Sequence, residues 1–473
     1  MNVLLIDIDS LRFDHVGAYG YDAPTTPNID ELSSDATLFE NAYVSNSPCL
    51  PSRAAWISGR YGVSNGVATH GPDAQLLRSP QNWRQWYACW AEEWKAGGRQ
   101  TLTEVHGESK NWLTLPEVFF HNRVHTGAVS SFPRHTAPWF YHLWHEYHQP
   151  QEPDEPGEYM QTPRAETICD IGIDYLERHV DDSFFLYLQF WDPHTPYNRS
   201  EDEIEPFRTH SRPEHPTSEQ LESHQEWDSW RSPAQLGISD ESDLATLIAH
   251  YDAEIRHADK YVGRILQYLR DRDVYDDTMI ILMADHGEEF GEHGVYREHW
   301  STYEGTQHVP LLVKPPNQTR AKECDQLVTN VDIAPTILDY AGFEIPNGWQ
   351  GSSLKPLITG QSEDWRSAIV FDHGLYTAQR AIRTNRWKLI RTYHPGMWDG
   401  VLPRDQLFDL ENDPWEQENI LMEYPDVAER LTKSMALWVE NHVGRNGDPL
   451  RTVARKSPPG SELQQRWNEW SGV

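Results

Sequence analysis

At 473 residues the chain exceeds the size at which a single core keeps growing, so a large domain joined to a smaller one is expected. Its 73 acidic residues against 40 basic ones leave a formal net charge of −33, which repels phosphate backbones and argues against non-specific nucleic-acid binding. With 38% of residues hydrophobic and Lys scarce, the composition fits a halophilic protein whose dense carboxylate surface is screened by salt. An ordinary acidic enzyme is the alternative. No segment has the apolar length to span a bilayer, so no membrane attachment is expected. Residues 1–7 read as a strand and not as a signal peptide, lacking a basic leader and a long enough apolar run. Cys49, Cys89, Cys169 and Cys324 lack metal-type spacing, and the expectation is a cytoplasmic protein without structural disulfides.

Residues 3–8 form an apolar run that ends in Asp9, the pattern of a buried parallel strand delivering a carboxylate at its edge. A turn residue or helix cap is the plainer reading of that Asp. Residues 25–32 then open a helix. In Cys49-Leu50-Pro51-Ser52-Arg53-Ala54-Ala55 a Cys stands at the start of an alanine-rich helix, whose free N–H groups and dipole suit an anionic substrate group. Arg53 adds a permanently charged fork for a tetrahedral oxyanion. A buried Cys beside a capped helix is the bland alternative. His70 reads as a solvated loop residue; because it follows the motif helix, a place facing the site is the alternative. Trp83, Trp86, Trp90 and Trp94 recur at helical spacing, which marks a packed face; exposed, they would be platforms for sugar rings.

Residues 184–190 predict a second buried strand, followed by Asp192-Pro193-His194, where an imidazole could donate a proton near neutral pH; a structural His is the alternative. Residues 198–243 are polar, without apolar periodicity, and read as a lid or insertion. Apolar spacing over 244–269 predicts an amphipathic helix. Residues 278–284 form a third apolar strand ending in Asp285-His286-Gly287, ligands that suit a divalent cation; a strand-end turn with a solvated His is the alternative. Asp332 reads as a helix cap. Short β-like runs at 368–371, 381–383, 387–390 and 406–410, with a helix over 427–443, predict a small antiparallel sheet. The tail beyond 445 reads as loosely held. The domains expected are 1–362 and 363–473.

The Cys-x-Pro-Ser-Arg motif at 49–53, with Gly59-Arg60 after it, resembles the type I sulfatases of the alkaline-phosphatase superfamily. The resemblance runs to about residue 419, with the strand-end Asp9 before this motif and Asp285-His286 after it. It implies an α/β/α sandwich around a mostly parallel sheet, with a small C-terminal antiparallel sheet. It also implies that Cys49 is converted to formylglycine by a formylglycine-generating enzyme, and that its hydrate attacks sulfur. Asp9, Asp285, His286 and the modified Cys49 would bind a divalent cation, Ca²⁺ ahead of Mg²⁺ or Mn²⁺. His194 would protonate the leaving alcohol. Four residues depart from the pattern. Ser10 stands where a second Asp is frequent, Arg134 and His135 stand near the family's Lys-x-His, and His299 occupies the place of a Lys. The implied activity is hydrolysis of a sulfate monoester, of a carbohydrate or another small organic sulfate. His286 also fits phosphodiester or phosphonate monoester hydrolases of the superfamily. A non-catalytic binder of anionic sugars is the third reading. Oligomeric state is not legible.

Overall fold

The computed structural model describes residues 1–70, 113–132, 137–152, 162–210, 214–226, 232–361, 365–444 and 447–461. Strands β1 (Asn2–Ile8), β2 (Thr37–Phe39), β3 (His125–Val129), β4 (Glu146–His148), β5 (Phe184–Phe190), β6 (Thr278–Ala284), β7 (Leu311–Lys314) and β8 (Lys322–Cys324) form the main sheet. Their order is β8-β2-β7-β6-β1-β5-β3-β4, and every neighbouring pair is parallel except those made by β7.

The sequence of β1 explains the layers. Leu4, Ile6 and Ile8 enter one core, while Val3 and Leu5, pointing the other way, enter a second. Apolar residues on both faces require cover on both sides. Helices on both sides supply it, among them α1 (Cys49–Ser58), α2 (Ala165–His179), α3 (Glu241–Asp271) and α4 (Ile333–Ala341). Ile168 and Leu176 of α2 and Ile255, Val262 and Ile265 of α3 meet the first face. Leu50, Ala54 and Ile57 of α1 and Ile337 of α4 meet the second. The result is the α/β/α sandwich that the resemblance implies. Ile8 lies opposite both Phe190 and Ala284, so β1, β5 and β6 finish together at one edge. Open parallel sheets place their sites at this edge.

A second sheet contains β9 (Ala368–His373), β10 (Ala378–Thr384), β11 (Trp387–His394) and β12 (Asp405–Asp409), in the order β12-β11-β10-β9. Helix α5 (Pro425–His442) covers it, packing Leu431 and Met435 on Val370, Ile382, Leu389 and Leu407. The fifth strand of this sheet comes from the first part of the chain. Asn46–Ser47 pairs in parallel with β9, Ser47 opposite His373, and so stitches the segment before Cys49 to the C-terminal sheet.

The described parts of 198–243 contain short helices, among them Ser218–His224, too brief for an apolar period to show in the sequence. Leu221 and Ile238 join the first core, and Ile204 and Phe207 pack on Ala249 and Ala253 of α3. Among the described residues no helix is long and apolar enough to cross a membrane. The Trp83–Trp94 series, Cys89, Arg134 and His135 lie outside the described residues.

Ile6 is wholly buried in the middle of β1, so Ile6→Ala should cost about 2–5 kcal/mol through lost burial and the cavity left behind. A lowered urea midpoint at unchanged slope is the expected result.

Candidate active site

At the shared edge of β1 and β6, one donor atom from each of Asp9, Cys49, Asp285 and His286 lies within 4.8 Å of the others, all buried. Cys49 is the first residue of α1, and its Sγ is 3.2 Å from His286 Nε2. His286 Nδ1 lies 2.8 Å from the Gly287 carbonyl, which only accepts, so the ring proton sits there and Nε2 faces the cluster with its lone pair. Burial, and then the charge of His299, pushes this imidazole well below its ordinary value, into the neutral form that ligates metals. Burial first, then Asp9 and Asp285, pushes the Cys49 thiol well up. An unmodified Cys49 is therefore held as a thiol.

Arg53, one turn further along α1, faces carboxylates with all three nitrogens. Nε is 2.8 Å from Asp7 Oδ2, Nη2 3.0 Å from Asp9 Oδ2, and Nη1 2.8 Å from Asp285 Oδ2. All four side chains are fully buried, and three carboxylates against one guanidinium leave two negative charges uncompensated. Such an excess is costly away from water. Its effect shows in the carboxyls. Burial lifts Asp285 well above its ordinary value and raises Asp7, with Arg53 offsetting only part in each case. At Asp9 the charge of Arg53, helped by the His299 cation, overcomes burial and holds the carboxyl well below the usual range. Asp285 Oδ2 also lacks a well-aligned hydrogen bond. A divalent cation matches both the missing charge and the oxygen-plus-imidazole donor set.

The sequence assigned Arg53 to a substrate oxyanion; the structure turns its fork onto the carboxylates instead. Asp7 was missed. Its signal was a charged residue inside an apolar strand, which needs a buried partner. Tyr251 was read only as part of the apolar stripe of α3. Its hydroxyl donates to the Ser10 carbonyl at 2.6 Å and accepts the Arg12 N–H at 2.9 Å, pinning the turn that follows Asp9. Ser10 adopts φ 60°, an unusual value for a residue with a Cβ, and gives its N–H to Asp285 Oδ1 at 3.1 Å.

Around this cluster stand three more imidazoles. His194 follows β5 and places Nδ1 2.6 Å from the Thr195 carbonyl, which leaves Nε2 for proton transfer. The ring of His299 stacks on His286 with centroids 4.0 Å apart, and its Nδ1 lies 3.7 Å from Glu288 Oε1 and 3.8 Å from Glu298 Oε2. Burial alone would lower its pKa, but the nearby carboxylates of Glu288 and Glu298, with Asp9, lift it to about 9. The sequence left the charge at this position open; the two glutamates restore it. His70 is not the solvated loop residue expected. Its Nε2 accepts the Leu50 N–H at 3.2 Å, and burial followed by the His299 charge moves it down to about 3.

Asn330 and Asp332, just before α4, have a definite task. Asn330 accepts the Ser45 N–H at 3.0 Å and donates to Ser52 Oγ at 3.0 Å, clamping both sides of Cys49. Asp332 caps the turn through the Thr329 N–H at 2.8 Å. From β9, His373 Nδ1 lies 2.8 Å from Ser47 Oγ. Sequence reasoning had no signal for His373, because the pairing of β9 with Asn46–Ser47 is not local.

A family model for sulfatases matches residues 1–343. The chain belongs to the sulfatase family. Like its family, it is a sulfuric ester hydrolase. A second model, the C-terminal part of N-sulphoglucosamine sulphohydrolase, matches residues 291–441 of the sulfatase. It is 26% identical to an arylsulfatase of Clostridium perfringens over 93% of this chain and 94% of that one. It is 23% identical to an N-acetylglucosamine-6-O-sulfatase of Bacteroides thetaiotaomicron over 96% and 89% respectively. Among solved structures, the phosphonate monoester hydrolase of Silicibacter pomeroyi superposes with a TM-score of 0.71 at 20% identity, covering 94% of this chain and 96% of that one.

Two outcomes follow for the sulfatase. Arg53→Met leaves the buried carboxylates without their cation and should destabilise the apoprotein by about 3–5 kcal/mol; millimolar Ca²⁺ should return much of the lost melting temperature. Tyr251→Phe should remain folded but lose activity as the Asp9 turn loosens, with a stability cost of about 1–3 kcal/mol for the unsatisfied Ser10 and Arg12 groups.

Proposed function

We propose that this sulfatase hydrolyses a sulfate monoester of a carbohydrate or another small organic alcohol, with Cys49 acting after conversion to formylglycine. The observation that carries this reading is the seat of Cys49, at a helix start inside a buried Asp9/Asp285/His286 cluster whose two carboxylates share the single Arg53 guanidinium with Asp7. Burial and carboxylates disfavour the thiolate a cysteine nucleophile would need. A formylglycine hydrate supplies a hydroxyl nucleophile there instead. A divalent cation, Ca²⁺ in this proposal, would be held by Asp9, Asp285, His286 and the oxygen replacing Cys49 Sγ, and would supply charge for the sulfate oxygens.

The chain's own residues do the rest. Arg53 holds Asp7, Asp9 and Asp285 in fixed positions, so that nothing need reorganise as charge develops. His299, cationic between its two glutamates, offers a positive edge toward an anionic group. His194, with Nδ1 fixed on Thr195, delivers a proton from Nε2 to the departing alkoxide. Sugar sulfates are favoured as substrates because relatives with named activities act on them: an N-acetylglucosamine-6-O-sulfatase, and a protein solved with D-glucosamine-2-N,6-O-disulfate as its substrate at a TM-score of 0.69 and 20% identity.

Mass spectrometry of the Cys49 peptide from active protein should show the aldehyde; wholly unmodified thiol in active material would refute the mechanism. His194→Ala should slow esters of poor leaving alcohols by about 10²–10⁴-fold, and 4-nitrophenyl sulfate far less. Aryl sulfates should be cleaved faster than aryl phosphonate monoesters. The reverse order would favour the phosphonate hydrolase reading, which His286 and the fold of the Silicibacter enzyme keep in view.

A further inference from the structure

The opposite edge of the main sheet holds a second cluster that the sulfate chemistry does not use. We propose that His125, Glu146 and His179 form a separate metal site that takes a transition-metal ion of the zinc class. The residues come from three elements: His125 opens β3, Glu146 opens the outermost strand β4, and His179 ends α2. Because β3 and β4 run parallel to β1, their first residues lie at the amino edge of the sheet, roughly 15 Å from the carboxyl edge by strand rise. One donor atom from each of the three lies within 4.8 Å of the others.

The donor set suits the ion. His179 Nε2 is 2.7 Å from Glu146 Oε1 and His125 Nε2 is 3.5 Å from the same oxygen, with the two rings stacked 3.9 Å apart, so His125 turns its ring edge inward when an ion binds. Donors about 2.0–2.2 Å from a tetrahedral zinc stand about 3.3–3.5 Å apart, so the His125 spacing already fits and the His179 spacing opens by somewhat more than half an ångström. Two imidazoles and one carboxylate favour zinc-class ions over calcium, which takes six or more oxygens. The outer contacts are those of a ligand set. His125 Nδ1 lies 3.0 Å from the Tyr175 hydroxyl, which leaves Nε2 as the inward nitrogen. Glu146 Oε2, the oxygen turned away, is held by Arg178 at 2.6 Å and His148 at 3.2 Å. Burial and the neighbouring His179 and His145 move His125 below its ordinary value, toward the neutral form a metal requires.

Arg178 Nη1 also lies 3.3 Å from His179 Nε2, where it stands in for a cation between the two side chains. Its side chain is 41% exposed, so it can withdraw into water at little cost. A bound ion would then join the outermost strand β4 to β3 and α2. The site would add stability to this corner of the fold and leave the distant chemistry untouched.

The test uses the full-length protein, stripped with chelator and returned to millimolar CaCl₂ to occupy the catalytic cluster. ZnCl₂ uptake is measured by equilibrium dialysis with elemental analysis, alongside thermal unfolding. The wild type should bind one zinc more than His179→Ala or Glu146→Gln and gain melting temperature with it. Both variants should bind at least about tenfold more weakly at this site while hydrolysing sulfate esters at the wild-type rate in calcium alone. Arg178→Ala should bind zinc at least as tightly as the wild type. Equal zinc uptake and equal melting shifts in the wild type and both ligand variants would overturn the proposal, as would a wild type that binds no zinc.

Discussion

One guanidinium fixes the geometry of this protein's working end. Arg53 lies on α1, Asp7 and Asp9 on and just past β1, and Asp285 just past β6, so a single planar fork joins a helix to two adjacent strands. A planar, always-charged group with donors in fixed directions suits this task, and a lysine would not replace it. The arrangement also explains why an acidic residue can sit inside β1. Asp7 shares a face with Val3 and Leu5, toward α1, and the cation it meets there is Arg53 of α1.

The surrounding architecture protects this junction. The parallel sheet brings three strand ends to the same level, so carboxylates and an imidazole arrive from residues far apart in sequence. Helix α3 reaches over with Tyr251 to hold the turn after Asp9. Asn330 grips the Cys49 segment on both sides, and the small sheet closes over it by borrowing Asn46–Ser47 as an edge strand. The C-terminal sheet is thus part of the wall around Cys49.

Much of this was legible in the sequence, and the legible part has a common origin. Asp9, His194, Asp285 and His286 each follow a buried apolar strand, where chain direction alone decides which end they occupy. Cys49 and Arg53 lie within one local motif. What escaped was non-local. His70 looks like any loop histidine until α1 turns the Leu50 N–H toward it. The charge of His299 depends on Glu298, its neighbour in the chain, and on Glu288, which only the fold brings alongside. Tyr251 carries the same apolar-stripe signature as its neighbours on α3, and only its hydroxyl distinguishes it. Asp7 was visible as an anomaly, and the rule that buried charge needs a partner would have led to Arg53.

The burial of Cys49 has a consequence for how the molecule is made. Its side chain is 1% exposed, beneath elements that include Asn330 and β9. An enzyme that rebuilt that side chain, as the proposed mechanism requires, would meet it more readily before these elements close over it than after. The covering residues are synthesised some 280 positions later, which at ordinary elongation rates leaves roughly 15–60 s in which the segment is out and still uncovered. The same stitch between Asn46–Ser47 and β9 that completes the site therefore sets a deadline. If Cys49 is converted as proposed, chains that fold first would keep it as the buried thiol.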